Sequence, residues 1–326
     1  MSDLQSHPYD PLTPELVMEA VESLGYLSDA RLLALNSYEN RVYQVGIEDE
    51  DPLIAKFYRP DRWTDEQIAE EHSFSFELED ADISVVTPLR NESGDSLHQY
   101  GGFRFALFPR RGGHPPELDN PDNLLVLGRT LGRMHQVGQA RPFQHRAPWT
   151  IETMVEDAYQ FLAEHFVPME LRTAYTSLAE DLLLRVREHY PEPTGIRVHG
   201  DCHVGNILWR DEVAHFVDLD DCRMAPAIQD LWMFLSGDRA NRLAQLSELI
   251  EGYEEFCEFN SSELAWIESL RTMRMMNYAA WLGRRWQDPA FPRSFPWFND
   301  ARYWSDHILE LREQLALFDE PPLQLF

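Results

Sequence analysis

The sequence predicts an α+β protein of two lobes: a small N-terminal one built on an antiparallel sheet with a helix, and a larger, mostly helical C-terminal one. Three observations carry this. Short apolar runs broken by polar turns fill the first 110 residues, helical periodicity takes over beyond residue 120, and one strand-and-turn insert, 194–222, interrupts the helices. At 326 residues the chain exceeds one ordinary core. The division is placed at the Gly/Pro punctuation "RRGGHPPE", giving lobes of residues 1–110 and 111–326.

Each element has its own signal. Thr13 as N-cap, Pro14 at the first helical position and Gly25 past the end mark an opening helix. "RLLALN", "NRVYQVGI" and "PLIAKFY" read as strands, rich in large apolar residues and separated by polar turns. Thr64 followed three residues later by Gln67 is a capping box opening "TDEQIAEEHSFSFEL". Two further strands are predicted at "DISVVTP" and "FRFALFP". Helices then follow at "NPDNLLVLGRTLGRMHQVG", in two long stretches between about 150 and 190, and after residue 226. There is no internal repeat and no low-complexity segment.

Composition narrows the function. A net charge of −28 repels polyphosphate backbones and anionic lipid, so neither nucleic acid nor a membrane is expected as partner. No apolar run approaches the span of a bilayer, and the start "MSDLQSHPYDP" lacks a basic, apolar leader, so a cytoplasmic location is expected. Cys202, Cys222 and Cys257 have no framework spacing and are expected as free thiols in a reducing compartment. Of the 28 basic residues, 27 are arginine; Lys56, in "IAKFYRP", is the single lysine. An ammonium is a compact charge on a slim stem, where a guanidinium is a broad fork, so a lone lysine in an arginine background is expected where the fork does not fit, as between phosphate oxygens.

The insert "IRVHGDCHVGNILWRDEVAHFVDLDD" gathers His199, Asp201, His203, Asn206, Asp218, Asp220 and Asp221 between apolar runs. Carboxylates held on apolar strands need a cation, a hydrogen-bond network or a ligand. Phosphoryl transfer uses such a set: a carboxylate at the acceptor hydroxyl, an amide and a carboxylate on magnesium, and a lysine on the upstream phosphates fixed by a glutamate. Asp201 and Asn206 are five apart, the separation of the catalytic Asp and the metal-binding Asn in the protein-kinase loop, and Asp218 stands at the next strand end. "LIAK" resembles the kinase "V-A-I-K". Glu71 falls on the apolar face of its helix, spaced three from Ile68 and Phe74, whereas Glu70 points sideways, so Glu71 is expected to hold Lys56.

"HGDCHVGN", "FVDLDD" and "PAIQDLW" resemble the aminoglycoside phosphotransferase and choline kinase superfamily, relatives of the protein kinases. "LNSYENRVYQV", "AKFYRPDRWTDEQIAEEH", "WQDPAFPRSFPW" and "EPPLQL" extend the likeness through almost the whole chain to the bacterial stress response kinase A family. That resemblance implies a bilobal protein-kinase-like fold and a cytoplasmic, ATP- and magnesium-dependent kinase. It also implies transfer to serine or threonine on proteins, the chain itself included, in stress responses. It implies Asp201 as proton acceptor, Asn206 and Asp218 as magnesium ligands, and Ser37 in the nucleotide loop of a sheet lobe; the lobe hinge at "FALFPRR" is expected to offer the carbonyl of Phe108 and the N–H of Arg110. A monomer is expected.

The chain departs from the protein-kinase pattern in two places. "NSYENRVYQVG" lacks the glycines of a phosphate-covering loop, so groups around Asn36 to Asn40 are expected to serve, and Gly200 replaces the arginine of H-R-D, so control by a phosphorylated activation loop is not expected. Two other functions fit some of these residues: a small-molecule hydroxyl kinase acting on a cationic alcohol or sugar, and a nucleotide-sensing regulator without catalysis. Zinc at His199 and His203 lacks a second pair at zinc-site spacing, and His199 is expected as a loop anchor. Asp230 is expected to brace the catalytic loop, Asp220 either to reach a second metal or to face solvent, and Cys202 and Cys222 to be inert buried thiols rather than a redox switch. Arg284 and Arg285, in an aromatic-rich run, are expected in the helical core unless they lie by the cleft.

Overall fold

The computed structural model describes residues 7–325, so the polar start used for the location argument, residues 1–6, lies outside the described residues. The elements run α1 (Pro14–Glu22), β1 (Ser28–Ala34), β2 (Arg41–Ile47), β3 (Leu53–Phe57), α2 (Asp65–Asp80), β4 (His98–Tyr100), β5 (Phe103–Pro109), α3 (Pro121–Gln139), α4 (Asp157–His165), α5 (Met169–His189), β6 (Ile196–Val198), β7 (Ile207–Arg210), β8 (Val213–Phe216), β9 (Arg223–Ala225), α6 (Ile228–Leu231), α7 (Arg239–Glu254), α8 (Ile267–Arg284), α9 (Ala290–Ser294) and α10 (Ala301–Leu317). Among the described residues no helix is long and apolar enough to cross a membrane.

The predicted starts are present. Thr13 caps α1, accepting from the Leu16 N–H with Pro14 behind it, and Thr64 and Gln67 close the reciprocal capping box of α2. The chain packs as two units, the first made of residues to Glu117 together with Phe143–Arg146 and His203–Cys222. Its five-stranded antiparallel sheet has the order β1-β2-β3-β5-β4. One sheet face buries Val45, Ile47, Leu53, Ala55, Phe57, Phe105 and Leu107 against Val17, Ala20 and Val21 of α1. On the other face Tyr58 and Ala106 meet Ile68 of α2. The β7–β8 hairpin joins this unit by single bridges, Val85 to Phe216 and His114 to Trp209. Residues 203–222 therefore group with the sheet rather than with the helices that precede and follow them in sequence, a division by packing that differs from the one drawn in chain order at 110/111.

"DISVVTP" is not a strand. Ile83, Val85 and Thr87 are buried alternately, which is the period that suggested one, but among the described residues the segment's strand pairing is a single isolated bridge to Phe216. The strand beside β5 is instead the three-residue "HQY" of β4, too short and polar to announce itself.

The second unit holds the remaining residues and is mainly helical. α3 and α7 lie so close that a Cβ at Gly128, Gly132 or Gly252 would enter the facing backbone at Leu249, Tyr253 or Leu125. β6 and β9 pair antiparallel, Ile196 to Ala225, and carry the His199–Asp201 turn beyond the end of β6.

Candidate active site

β3 alternates: with Leu53, Ala55 and Phe57 in the core under α1, Lys56 turns to the opposite face, between Val42 and Ala106 on the neighbouring strands. The buried stripe of α2 is Ile68, Glu71, His72, Phe74, Ser75 and Leu78, and it brings a carboxylate to that face. Lys56 Nζ lies 3.4 Å from Glu71 Oε1 and 3.1 Å from both Asp218 Oδ1 and Asp220 Oδ1. Burial lowers the Lys56 pKa, but Asp220, Glu71 and Asp218 together outweigh it and hold that pKa well above its ordinary value. Burial raises Glu71 against the pull of Lys56 and Arg146, whereas at Asp220 burial is outweighed by Arg62, Lys56 and Arg146, which keep its carboxyl far below the usual range.

Two arginines complete the cluster, and nothing in the sequence singled them out. Arg62 pairs with Asp220 and, at 2.9 Å, with Asp221. The fully buried Arg146 donates to Glu71 Oε2 at 3.0 Å and to three carbonyls: Gln67 at 2.7 Å, Asp220 at 2.7 Å and Cys222 at 3.0 Å. It thereby ties α2 to the segment after β8. Glu70, the sideways glutamate, instead accepts the backbone N–H groups of His145 and Arg146, each at 2.9 Å, and that of Gln144. Asp220 is a buried counter-ion, so it does not face solvent.

The β7–β8 register pairs Ile207 with Phe216, which sets Asn206 opposite Val217, one residue before Asp218. The Asn206 carbonyl accepts from the Val217 N–H at 3.0 Å. Asp218 takes left-handed backbone angles, φ 61° and ψ 61°, strained for a residue with a Cβ, and its side chain is 54% exposed. An amide oxygen and a carboxylate at the open end of one hairpin are hard donors, the chemistry that suits a divalent cation. Among the described residues no group of three or more His, Cys, Asp or Glu is arranged to hold a metal by itself.

In the helical unit the His199–Asp201 turn is held by backbone. Asp230, fully buried, accepts from the His199 N–H at 2.7 Å, the Gly200 N–H at 2.9 Å and His135 Nε2 at 3.1 Å. Gln229 donates to the Gly200 carbonyl at 3.0 Å. Gly200 has φ 86°, which explains a glycine where protein kinases carry arginine. The Asp201 side chain makes an ion pair with Arg274 Nη1 of α8, at 2.6 Å.

The structure thus brings Lys56, Glu71 and Asp218 together, with Asn206 on the hairpin that carries Asp218; Asp201 belongs to the second unit. Ser37 lies in the β1–β2 turn, where its hydroxyl donates to the Asn40 carbonyl at 3.1 Å. That turn is fastened by Arg59, whose N–H donates to Asn40 Oδ1 at 3.0 Å and whose Nε donates to the Glu39 carbonyl at 2.9 Å. Phe108 sits inside β5 opposite Ile54, while Arg110 lies just past the strand end with its Nε on Gln44. All three cysteines are buried and free, and burial, then Asp230 and Asp201, push the Cys202 thiol pKa far up. His203 Nδ1 accepts from the Gly205 N–H at 3.0 Å, and Arg284 lies over the Phe161 ring.

A sheet carrying a buried lysine–glutamate pair, a strained aspartate after a hairpin and a braced H-G-D turn define a kinase-like phosphotransferase, the class that passes a phosphoryl group to a hydroxyl. Residues 31–267 match the model described as the phosphotransferase enzyme family, and the chain belongs to that family and, within it, to the stress response kinase A group. Stress response kinase A of Escherichia coli (strain K12) is 46% identical over 319 residues, 97% of each chain. Serine/threonine protein kinase RdoA of Salmonella typhimurium is 45% identical over the same length and coverage. Among solved structures, amicoumacin kinase in complex with AMP-PNP and Ca2+ is similar with a TM-score of 0.73 at 20% identity, covering 96% of this chain and 95% of that one. The microcompartment-associated aminopropanol kinase follows at 0.69 and 20%, covering 94% and 97%.

Proposed function

We propose that this protein is an ATP- and magnesium-dependent serine/threonine protein kinase that also phosphorylates itself, acting as a cytoplasmic monomer in stress response. The observation that carries the reading is the lone lysine, buried against Glu71 and within 3.1 Å of Asp218. In this reading residues 1–110 supply the nucleotide sheet and residues 111–326 the catalytic loop, the metal ligands and the acceptor-binding helices. Lys56, oriented by Glu71, neutralises the upstream phosphates. Asn206 and Asp218 would hold the divalent ion, which when bound supplies positive charge beside the phosphate oxygens. Asp201 orients the acceptor hydroxyl and takes its proton as the hydroxyl oxygen bonds to the γ-phosphorus and the bond to the ADP oxygen breaks. Ser37 and the backbone around Phe108 and Arg110 contact the nucleotide. The support for protein acceptors is the likeness to kinases so named, at 45 to 46% identity over 97% of the chain.

Incubation with γ-labelled ATP and magnesium tests it. Label is expected on the protein itself and on protein acceptors, and Asp201→Ala is expected to lower transfer by about 10²- to 10⁴-fold while nucleotide still binds. Full transfer by that variant removes Asp201 from its role; binding of ATP with no transfer by the wild type leaves a nucleotide sensor.

A further inference from the structure

The carboxylate assigned to the acceptor hydroxyl has a permanent cation against it. Arg274 Nη1 is 2.6 Å from Asp201 Oδ1, and the two side chains keep 34% and 27% of their exposure, so both face solvent rather than a sealed core. Residues 271, 274, 278, 281 and 285 recur at three- and four-residue spacing along α8 and its end, so they share one face. That face is cationic and aromatic. Arg271 lies 5.5 Å over the Trp232 ring, and the exposed Tyr278 stacks on Trp281 with ring centroids 5.7 Å apart.

A guanidinium does not lose its proton, so Arg274 remains charged through any turnover. An acceptor whose hydroxyl sits a few bonds from an ammonium would bring a second positive charge to the same carboxylate, and like charges at such separation repel strongly where water is partly excluded. The chain's net charge of −28 would draw such cations in. Arg274 offsets the negative charge of Asp201 at that point. A serine or threonine flanked by carbonyls or carboxylates meets the opposite situation, since the guanidinium has further donors to offer.

Resting on the assignment of Asp201 above, we infer that Arg274 is a specificity-determining residue of the acceptor site: it selects a hydroxyl borne by a neutral or acidic peptide segment over one borne by a cationic amino alcohol. The aminopropanol kinase of similar fold is, by its name, a kinase of the second kind of acceptor.

The test uses the full chain with ATP and magnesium and three acceptors: a serine peptide flanked by glutamates, the same peptide flanked by lysines, and 1-amino-2-propanol. The wild type is expected to prefer the acidic peptide. Arg274→Gln is expected to shift the ratio of kcat/KM between acidic and cationic acceptors by at least about tenfold toward the cationic ones, with the KM for ATP unchanged, while Arg274→Lys stays within a few-fold of wild type. A uniform fall for all three acceptors overturns the inference, because an arginine that merely orients Asp201 would act so. A wild type that modifies the amino alcohol as well as or better than the acidic peptide also overturns it. Should Arg274→Gln fail to fold, the wild-type ratio measured against salt decides, because charge selection weakens with added salt and selection by shape does not. Asp201→Asn separates the two assignments: if it keeps wild-type transfer, the role of Asp201 falls, whereas an unmoved ratio with Asp201→Asn inactive removes only the role of Arg274.

Discussion

The residues around Lys56 and the turn bearing Asp201 are held in opposite ways. Around Lys56 the positions are set by charge on charge: three cations, Lys56, Arg62 and Arg146, interlock with Glu71, Asp220 and Asp221, and two of the arginines lie over the Trp63 ring. At the His199–Asp201 turn the positions are set by backbone, with the buried carboxylate of Asp230 accepting two successive N–H groups and a histidine. The first arrangement orients side chains and is costly to break, since removing one partner leaves an uncompensated buried charge. The second fixes a loop through its main chain, and the Asp201 side chain it carries pairs with Arg274. Substitutions in the two regions should therefore fail differently.

The largest effect on stability is expected at Arg146. Arg146→Ala deletes the donor to Glu71 and to three carbonyls, and it should destabilise the sheet unit by about 3–5 kcal/mol in denaturant unfolding; a loss under about 1 kcal/mol would break the account of an interlocked cluster. Asp230→Asn comes next. An amide of the same shape lacks the charge that three donors share, so a cost of about 1.5–3 kcal/mol is expected. Turnover should fall with ATP binding intact, and weakened ATP binding would count against the separation of the two regions.

The smallest effect is a pH dependence. His72 sits behind Lys56, with its Nε2 2.7 Å from the Tyr58 hydroxyl and its Nδ1 2.8 Å from Ser96 Oγ. Burial first, then Lys56 and Arg146, push its pKa down to about 3. The unfolded chain binds the proton near the ordinary value, so the unfolded state holds more protons below that pH and stability falls as the solution is acidified. The stability present above about pH 6.5 should decline by about 1.4 kcal/mol per pH unit, near 2 kcal/mol by pH 5, in wild type relative to His72→Gln. Parallel pH profiles for the two proteins would contradict a neutral, buried His72.

Much of the sheet unit was legible because its signals are local. The capping box places α2, the spacing of Ile68, Glu71 and Phe74 places Glu71 inward, and a single lysine among 27 arginines marks β3. What stayed hidden depends on distance along the chain. Arg146 meets Glu71 across 75 residues and Arg62 meets Asp220 across 158, and one arginine among many has no distinguishing neighbours in sequence. Arg274 reads in sequence as an ordinary position of an amphipathic helix. The segment around Val85 shows the limit from the other side: alternating burial is present, but a strand also needs a continuous partner, and the sequence of one segment does not contain its partner.

The Lys56 position offers the most direct measurement. Its ammonium has three carboxylate oxygens within 3.4 Å, a space shaped for a point charge. Lys56→Arg keeps the charge and enlarges the head group, so phosphoryl transfer from ATP should fall by about 10²-fold or more, with the sheet unit still folded by thermal unfolding. Wild-type rates in that variant would show that any cation serves there, and the role given to the lone lysine would be wrong.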